Sequence, residues 1–332
     1  RMGLRVLLVE ESDFAFGTSS RSSKLVHGGF RYLRNYQFNV TRESVRERER
    51  LLRQAKYLVT PLRFLLPVMS GRSSSRRVYR MGVTIYDLMA PRWYHGHLSG
   101  NQIRTDYPVL TNPQVTDGFY YGDAEVDDSR LVLRVLQEGV MAGGIAMNYT
   151  RAANLCFDTT GRVRGARLVY SDVMGVKNEK DVEASVVIHA TGPWSDDLRK
   201  EVEAPARIRK QRGSHLVFSA ERLPLDAAIT FFHPRDKRAM FVFPWEGVTV
   251  IGTTDLDHPE ALEKAHPEPV ITRDEVNYIF EALDYLFPKS AITENDVISS
   301  FSGLRPIVSS GTANPSKESR AHSLWHEKGL VT

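Results

Sequence analysis

Residues 17–32, G-T-S-S-R-S-S-K-L-V-H-G-G-F-R-Y, gather small hydroxyl side chains, a lysine, a histidine, a glycine pair and an arginine. Main-chain amides and hydroxyl groups in such a run can bind phosphate groups, because consecutive N–H groups form anion-binding concavities. Imidazole suits proton transfer, since its ordinary pKa lies close to neutral pH. The stretch is therefore a candidate for cofactor binding and for general acid–base chemistry.

The segment before this run reads as a buried strand. Residues 4–9 are apolar enough to be buried on both faces of a parallel sheet, and Glu10 stands where the strand would end. In dinucleotide folds an acid at that position accepts hydrogen bonds from the adenosine ribose. The strand, glycine-rich turn and helix that usually precede it are absent, since only R-M-G comes first. We therefore expect the chain to be a piece of a longer protein.

The composition is that of a globular protein. The 332 residues are 42% apolar and 25% charged, with a net charge of +4, and two packed domains are expected at this length. No apolar run is long enough to span a bilayer. Cys156 is the only cysteine, so neither a disulfide nor a metal site is predicted. Nucleic-acid binding is not indicated, because basic residues are not interleaved with exposed aromatics.

Helical patterns alternate with strand-like runs, which predicts an α/β (α+β) fold. Helices are expected at 43–55, 128–142 and 272–287, the last with Thr272 and Glu275 as a capping box. The tetrad 126–129, V-D-D-S, reads as a helix cap. Prolines 61 and 67 are expected to bound a short apolar strand or tight turn.

Two groups of strands are predicted from the remaining runs. Runs 145–150, 162–170 and 184–192 fit a hairpin and a strand returning to a parallel sheet. An antiparallel sheet is expected from 214–218, 227–232, 239–245 and 248–255, followed by a strand at 297–308.

Residues 71–80, G-R-S-S-S-R-R-V-Y-R, concentrate positive charge next to an apolar run. We expect a solvated basic loop. The same composition leaves open an anionic membrane surface or a phosphate as the partner.

Five blocks together resemble the FAD-dependent, quinone-linked glycerol-3-phosphate dehydrogenases, within the flavoprotein group that also contains the D-amino-acid oxidases. The blocks are 17–32, A-T-G-P-W at 190–194, G-S-H at 213–215, F-P-W with I-G-T-T-D between 243 and 255, and S-G-L-R-P at 302–306. The family also has a glycine-rich turn before and a G-G-K-x-T-T segment after the stretch matched here, so both ends of this chain fall short of flavin-contacting segments.

The resemblance implies the oxidation of sn-glycerol 3-phosphate to dihydroxyacetone phosphate, with FAD as cofactor and a quinone as electron acceptor. It implies a partial Rossmann-like FAD-binding domain with a parallel sheet (1–60 and 120–200), an antiparallel-sheet substrate domain (61–119 and 201–300) and a return toward the FAD domain (301–332). The implied location is the cytoplasm, peripheral on the membrane.

Site residues also follow from the resemblance. Such a reaction needs a base for the hydroxyl proton, a donor for the developing alkoxide and cations for the phosphate. The catalytic candidates are His27, His215 and Arg305, and either histidine could be the base. Substrate binding is assigned to Arg31, Tyr32, Thr254, Arg305 and Arg320. Cofactor binding is assigned to Glu10, Thr18, Ser19, Ser20, Ser22, Ser23, Lys24, Leu25, Gly28, Gly29, Ala190, Thr191, Gly192 and Trp194.

Two other functions stay open at this point. A truncated, catalytically silent polypeptide would retain part of the fold and at most bind a phosphorylated ligand. A related FAD-dependent oxidase would use oxygen as acceptor, acting on glycerol 3-phosphate or on an amino acid.

Overall fold

A computed structural model describes residues 3–29, 38–70, 73–90, 93–171, 174–265, 268–311, 318 and 322–332. The α-helices of these residues are α1 (Phe38–Gln54), α2 (Ser73–Met89), α3 (Gly100–Asp106), α4 (Asp128–Met141), α5 (Ser195–Arg199), α6 (Glu260–Ala265) and α7 (Arg273–Leu286). Short 3-10 helices lie at Thr18–Ser20, Gly192–Trp194, Lys200–Val202 and Glu294–Asp296. None of the described helices is long and apolar enough to cross a bilayer.

Most strands belong to one large sheet. Its members are β2 (Leu25–Val26), β3 (Val59–Met69), β4 (Gly96–Ser99), β5 (Val115–Val126), β11 (Ile208–Ser219), β12 (Ala228–Phe232), β13 (Ala239–Trp245), β14 (Val248–Gly252), β15 (Leu256–Asp257) and β16 (Val297–Val308). The order is β15-β11-β14-β13-β12-β3-β5-β2, with β16 also on β11 and β4 also on β5. Neighbours run antiparallel except β12 and β3, which are parallel.

Helices cover both faces of this sheet. On one face, Ile103 of α3 and Ile279, Leu283 and Leu286 of α7 pack into the larger core cluster. On the other face, Val45 of α1 and Val83 of α2 pack against strand residues such as Phe64 and Phe243. A sheet buried on both faces is a rigid support, and its strand ends can hold side chains in fixed positions.

The remaining strands form three smaller sheets. They are β1 (Leu7–Val9), β6 (Ile145–Met147), β7 (Thr150–Phe157), β8 (Val163–Ser171), β9 (Lys177–Glu183), β10 (Val187–Ile188), β17 (His326–Glu327) and β18 (Leu330–Val331). Strands β1 and β6 pair in parallel, as do β10 and β18, while β7, β8 and β9 form an antiparallel meander. The predicted fold class, parallel pairing together with an antiparallel sheet, is confirmed. The division into two domains stays a prediction.

Several local predictions need correction. The strand predicted at 4–9 is only Leu7–Val9, and it is not buried on both faces, because Leu7 and Leu8 are 39% and 41% exposed. Residues 73–80 of the basic segment belong to α2 and do not form a loop, because the apolar residues that follow give this helix a buried face containing Val83; residues 71 and 72 lie outside the described residues. The predicted hairpin is made by β7 and β8, and residues 145–150 are divided between β6 and β7.

Prolines 61 and 67 lie inside β3, not at its ends. Both prolines lie opposite residues of β5, Ala124 and Gly118, but on the other edge of β3 the strand β12 pairs only with Phe64 and Leu65, so neither proline belongs to the ladder with β12. A proline is tolerated in a strand where its missing N–H removes no inter-strand hydrogen bond.

A buried arginine ties α5 to the hairpin of β17 and β18. The Arg199 side chain is fully buried and donates to both oxygens of Glu327 at 2.9 Å, while its guanidinium carbon lies 4.6 Å from the Trp325 ring centroid. Since β18 is also the parallel partner of β10, this pair connects the end of the described chain to the strand that precedes A-T-G-P-W.

Glu327→Gln should lower the free energy of unfolding by about 2–4 kcal/mol, because it leaves a buried guanidinium without its main partner. Urea denaturation measures this value. Asp197→Asn, which removes the exposed pair with Lys200, is the control and should cost less than about 1 kcal/mol. Equal losses of unfolding free energy in the two variants would contradict a structural role for the Arg199–Glu327 pair.

Candidate active site

One row of residues crosses the large sheet on a single face. Phe241, Gly252, His215 and Phe301 are in register on strands β13, β14, β11 and β16. Residues opposite each other in antiparallel strands project to the same face. His27 packs on this row, since its ring centroid lies 5.5 Å from that of Phe241. The structure therefore brings both candidate histidines to one level of the sheet.

His215 is held between two strand neighbours. Its ring is buried and stacks on Phe301, with centroids 4.5 Å apart and planes 12° apart. On the other side Gly252 leaves space for the ring, because a Cβ there would lie 2.3 Å from His215 Cδ2. The glycine of I-G-T-T-D is thus required by the packing of the histidine.

The surroundings of His215 favour the neutral imidazole. Burial lowers its pKa to about 3, and the positive charges of Arg305 and Lys24 act in the same direction. Nε2 shares a 2.9 Å hydrogen bond with the Ser23 hydroxyl, and Nδ1 is buried with no hydrogen-bond partner among the described residues. A neutral imidazole next to two cations is ready to accept a proton once an anion offsets those charges.

Arg305 lies on the same face, four residue pairs along the β11–β16 ladder from His215. It pairs with Gln211 in the ladder of β16 and β11, and its guanidinium crosses Gly213, where a Cβ would lie 2.3 Å from Nη2. Nη2 donates to Thr253 Oγ1 at 2.9 Å, and Nη1 is 3.4 Å from both the Thr254 carbonyl and an Asp255 carboxylate oxygen. The side chain is 27% exposed, so its charge is accessible from the face that carries His215.

Lys24 is engaged inside the protein. It is buried at φ +54°, its Nζ pairs with Asp128 at 2.7 Å and also donates to the Ser20 carbonyl, and Ser22 Oγ donates to the same carboxylate at 2.7 Å. This ion pair fixes the path of residues 20–24, which place the Ser23 hydroxyl beside the His215 ring.

The pattern V-D-D-S predicted a cap, and Asp127 is the cap of α4. The role of Asp128 was missed, because a second acid at a helix start has the same appearance whether it is solvated or paired.

A second buried network fixes the turn after His27. The Gly28 amide donates to Tyr86 Oη at 2.7 Å and to Asp123 at 3.2 Å, and Arg48 pairs with Asp123. A Cβ at Gly28 would lie 2.3 Å from Val45 Cγ2, so the helices α1 and α2 already require glycine there. Asp123 has no local sequence motif that would have identified this role.

The predicted cofactor residues lie in two segments that touch. Trp194 packs on Gly17, where a Cβ would be 3.5 Å from the indole, and Thr18 Oγ1 donates to the Leu304 carbonyl at 2.6 Å. Ser19, Ala190 and Thr191 are exposed, and nothing lies within 4 Å of the position of a Cβ on Gly192, whose φ is +58°. The junction of these segments thus presents small side chains and open main chain, as a flat cofactor requires.

Other predicted residues have contacts of their own. Glu10 accepts from the Ser12 amide at 3.0 Å, Leu25 pairs with Glu125 in the large sheet, and Gly29 has φ +72°. Thr254 is buried, and its hydroxyl donates to Glu275 and accepts from the Ser214 amide. Arg31, Tyr32 and Arg320 lie outside the described residues. All these site assignments stay predictions.

Comparison with known proteins identifies the family. The family model described as FAD dependent oxidoreductase matches residues 1–330. The chain belongs to this family. The flavoprotein group expected from the five sequence blocks is thereby confirmed, and FAD is the cofactor by which the family is defined.

Among curated proteins, the chain is 35% identical over 336 aligned positions to an aerobic glycerol-3-phosphate dehydrogenase of Bacillus subtilis and 32% identical to one of Staphylococcus aureus. Each alignment covers 99% of this chain and 59% of the relative, so the chain spans about three fifths of the relatives' length. A solved glycerol-3-phosphate dehydrogenase of Bacillus halodurans, complexed with FAD, superposes with a TM-score of 0.75 at 29% identity, covering 99% of this chain and 55% of that one.

The buried His215 should make stability depend on pH. The imidazole has a pKa of about 3 in the folded protein and about 6.5 when unfolded, so between these values the unfolded chain binds a proton that the folded chain does not. Lowering the pH from 6 to 4 should therefore cost the wild type about 1.4 kcal/mol per pH unit relative to His215→Gln, with no difference in slope above pH 7. Urea denaturation of both proteins across this range measures the difference. Parallel curves would contradict the burial of a neutral imidazole.

Proposed function

We propose that the protein oxidises sn-glycerol 3-phosphate to dihydroxyacetone phosphate in an FAD-dependent reaction. The observation that carries this proposal is the placement of the Arg305 guanidinium and the buried His215 imidazole on one face of the sheet, with their backbone positions four residue pairs apart in the β11–β16 ladder. A cation for a phosphate and a base for an adjacent hydroxyl are the two groups that this substrate needs from a protein.

Arg305 is the group for the phosphate. Its planar fork can donate to two oxygens of one anion, which a lysine cannot do. Both contacts of Nη1 within the described protein are long, at 3.4 Å, and one of them is to Asp255. A phosphate oxygen with better geometry would displace these contacts, while the bond of Nη2 to Thr253 keeps the guanidinium over Gly213.

His215 is the group for the hydroxyl proton. The C2–O–H bond releases its proton to the imidazole while the C2–H bond releases a hydride, so the carbinol becomes a ketone. Burial is the main cause of the low pKa of His215, and the phosphate dianion at Arg305 offsets the smaller contribution of the arginine charge, which strengthens the base when substrate is present. His27, packed on Phe241 of the same row, is the second candidate for this role.

FAD, when bound, supplies the hydride acceptor. The residues that would hold it are those at the junction of Gly17 and Trp194, namely Thr18, Ser19, Ser20, Ala190, Thr191 and Gly192. The exposed small side chains and the open space beside Gly192 are compatible with a flat ring system. The Lys24–Asp128 pair keeps residues 20–24 in a fixed path and so sets the edge of this junction.

The electron acceptor is proposed to be a quinone, reached at the cytoplasmic surface of a membrane. Helix α2 supports this part of the proposal, because Val78, Met81 and Leu88 are 52%, 60% and 71% exposed and share one stripe of the helix. Arg77 and Arg80 are exposed beside that stripe. Apolar side chains flanked by arginines are typical of a helix that lies on an anionic bilayer.

Arg305→Met should lower kcat/KM for glycerol 3-phosphate by about 100-fold, since it removes a charged partner of a desolvated anion. The slow oxidation of glycerol, which has no phosphate, should not change. Steady-state assays with an artificial electron acceptor measure both. Arg134→Met, which removes an exposed arginine of α4, is the matched control and should behave as wild type. Turnover of glycine, sarcosine or D-alanine in preference to glycerol 3-phosphate would contradict the proposal.

Replacing Met81 and Leu88 by serine should weaken binding to vesicles of anionic lipid, measured by sedimentation, by about 10-fold. The reason is that two apolar side chains, exposed in the free protein, would no longer be buried in the bilayer. Met141→Ser, at an exposed methionine of α4, is the control and should leave vesicle binding unchanged. Equal vesicle binding by the wild type, the double serine variant and Met141→Ser would show that α2 does not contact the membrane.

A further inference from the structure

Glu275 is a fully buried carboxylate near the start of α7. It occupies the third position of the helix and forms a capping box with Thr272. Burial by itself would raise the pKa of this carboxyl, but hydrogen bonds from Arg212, Thr254, Thr272 and Ser214 hold the pKa below its ordinary value. The group is therefore an ionised acceptor inside the protein.

Its two oxygens serve different parts of the fold. Oε2 accepts from the amide and hydroxyl of Thr272, each at 2.9 Å, and pairs with the buried Arg212 at 2.9 Å. Oε1 accepts from Ser214 Oγ at 2.8 Å and from Thr254 Oγ1 at 2.7 Å. Oε2 thus completes the helix start, while Oε1 is directed to the sheet.

Both donors to Oε1 are neighbours of the site residues. Ser214 directly precedes His215 on β11. Thr254 lies between Thr253 and Asp255, and all three residues of that segment contact the Arg305 guanidinium. Thr254 Oγ1 also accepts from the Ser214 amide at 2.8 Å, so the two segments are joined both directly and through the carboxylate.

A helix cap does not need these contacts. Asp296 has the same place in the capping box of the Glu294–Asp296 turn, where it accepts from the amide and hydroxyl of Thr293 and pairs with Arg222. Among the described residues, the Asp296 carboxylate forms no hydrogen bond or ion pair with β11 or with the 253–255 segment. The two extra donors at Glu275 therefore require a reason other than capping.

We propose that Glu275 is a positioning residue, which fixes the distance and orientation between the His215 imidazole and the Arg305 guanidinium by binding Ser214 and Thr254 to one carboxylate. This role rests on the proposed function of His215 and Arg305. A glutamine at this position keeps the shape but replaces the charge-assisted hydrogen bonds at Oε1 by weaker neutral ones, in which its NH2 group donates and the Ser214 and Thr254 hydroxyls accept. Buried Arg212 would also lose its charge partner.

The experiment compares Glu275→Gln with the matched variant Asp296→Asn in the FAD-loaded enzyme, at a temperature well below the unfolding midpoint of either. Both variants should lower that midpoint. Only Glu275→Gln should lower kcat for glycerol 3-phosphate, by roughly 10- to 100-fold, because small displacements of catalytic groups cost that much. It should also weaken the binding of orthophosphate, measured by isothermal titration calorimetry, about 10-fold. A folded Glu275→Gln protein with the kcat and orthophosphate affinity of the wild type would overturn the proposal.

Thr254→Val provides the test if Glu275→Gln does not fold. It removes one hydroxyl from the network at nearly constant volume, and we expect a loss in kcat of about 3- to 10-fold, whereas loss of a direct substrate contact only would raise KM and leave kcat unchanged. An unchanged kcat in Thr254→Val would contradict the positioning role of Glu275.

The proposed function can fail separately. If the wild-type enzyme does not oxidise glycerol 3-phosphate, the function is wrong, while orthophosphate binding and a crystal structure of Glu275→Gln still test the positioning role. In that structure, unmoved His215 and Arg305 side chains would overturn it, and a changed separation between them would support it.

Discussion

The site depends on close approach between groups at three glycines on one face of the large sheet. At Gly252 the His215 ring fills the place of a side chain, at Gly213 the Arg305 guanidinium does so, and at Gly303 a Cβ would lie 2.7 Å from the Arg21 carbonyl. Because β11, β14 and β16 lie side by side, the absence of side chains at these glycines lets the imidazole, the guanidinium and the Arg21 carbonyl of the hydroxyl-rich segment 17–24 lie against the same part of the sheet.

Buried charges surround the candidate site, and each is compensated by an opposite charge and by further hydrogen bonds. Lys24 and Asp128 fix the hydroxyl-rich segment, Arg48 and Asp123 lie beneath the His27 turn, and Arg212 and Glu275 lie behind Ser214 and Thr254. Isolated buried charges would be strongly destabilising, whereas pairs with saturated hydrogen bonding are tolerated and have one well-defined geometry. The protein thus gains a rigid support for its site at little net cost in stability.

Much of the fold follows from periodicity and turn residues. The helix beginning after Thr272, the strands at 239–245 and 297–308 and the helix starting at Asp128 lie where their patterns predict them. Motif context also singled out His215 and Arg305, which the structure places on one face of the sheet, while their roles stay predictions. The capping box of Glu275 was predicted, but the charge pairs of Asp123, Asp128 and Glu275 could not be, because a charged residue on a helix or strand has the same sequence pattern whether it is solvated or paired. Only the charged partner decides, and it is distant in sequence: Arg48 and Asp123 are 75 positions apart, Lys24 and Asp128 are 104 apart, and Arg212 and Glu275 are 63 apart.

In the proposed function, the charge environment of His215 links its basicity to the bound substrate. Burial, the largest cause, and the charges of Arg305 and Lys24 hold the pKa of the imidazole low, so the ring is neutral. Lys24 is paired with Asp128, so an arriving phosphate would act mainly on the field of Arg305. A phosphate bound by that guanidinium would raise the proton affinity of the imidazole by offsetting this charge. Recognition of the phosphate and activation of the base would then be one electrostatic event, which a neutral polyol of similar shape would not bring about.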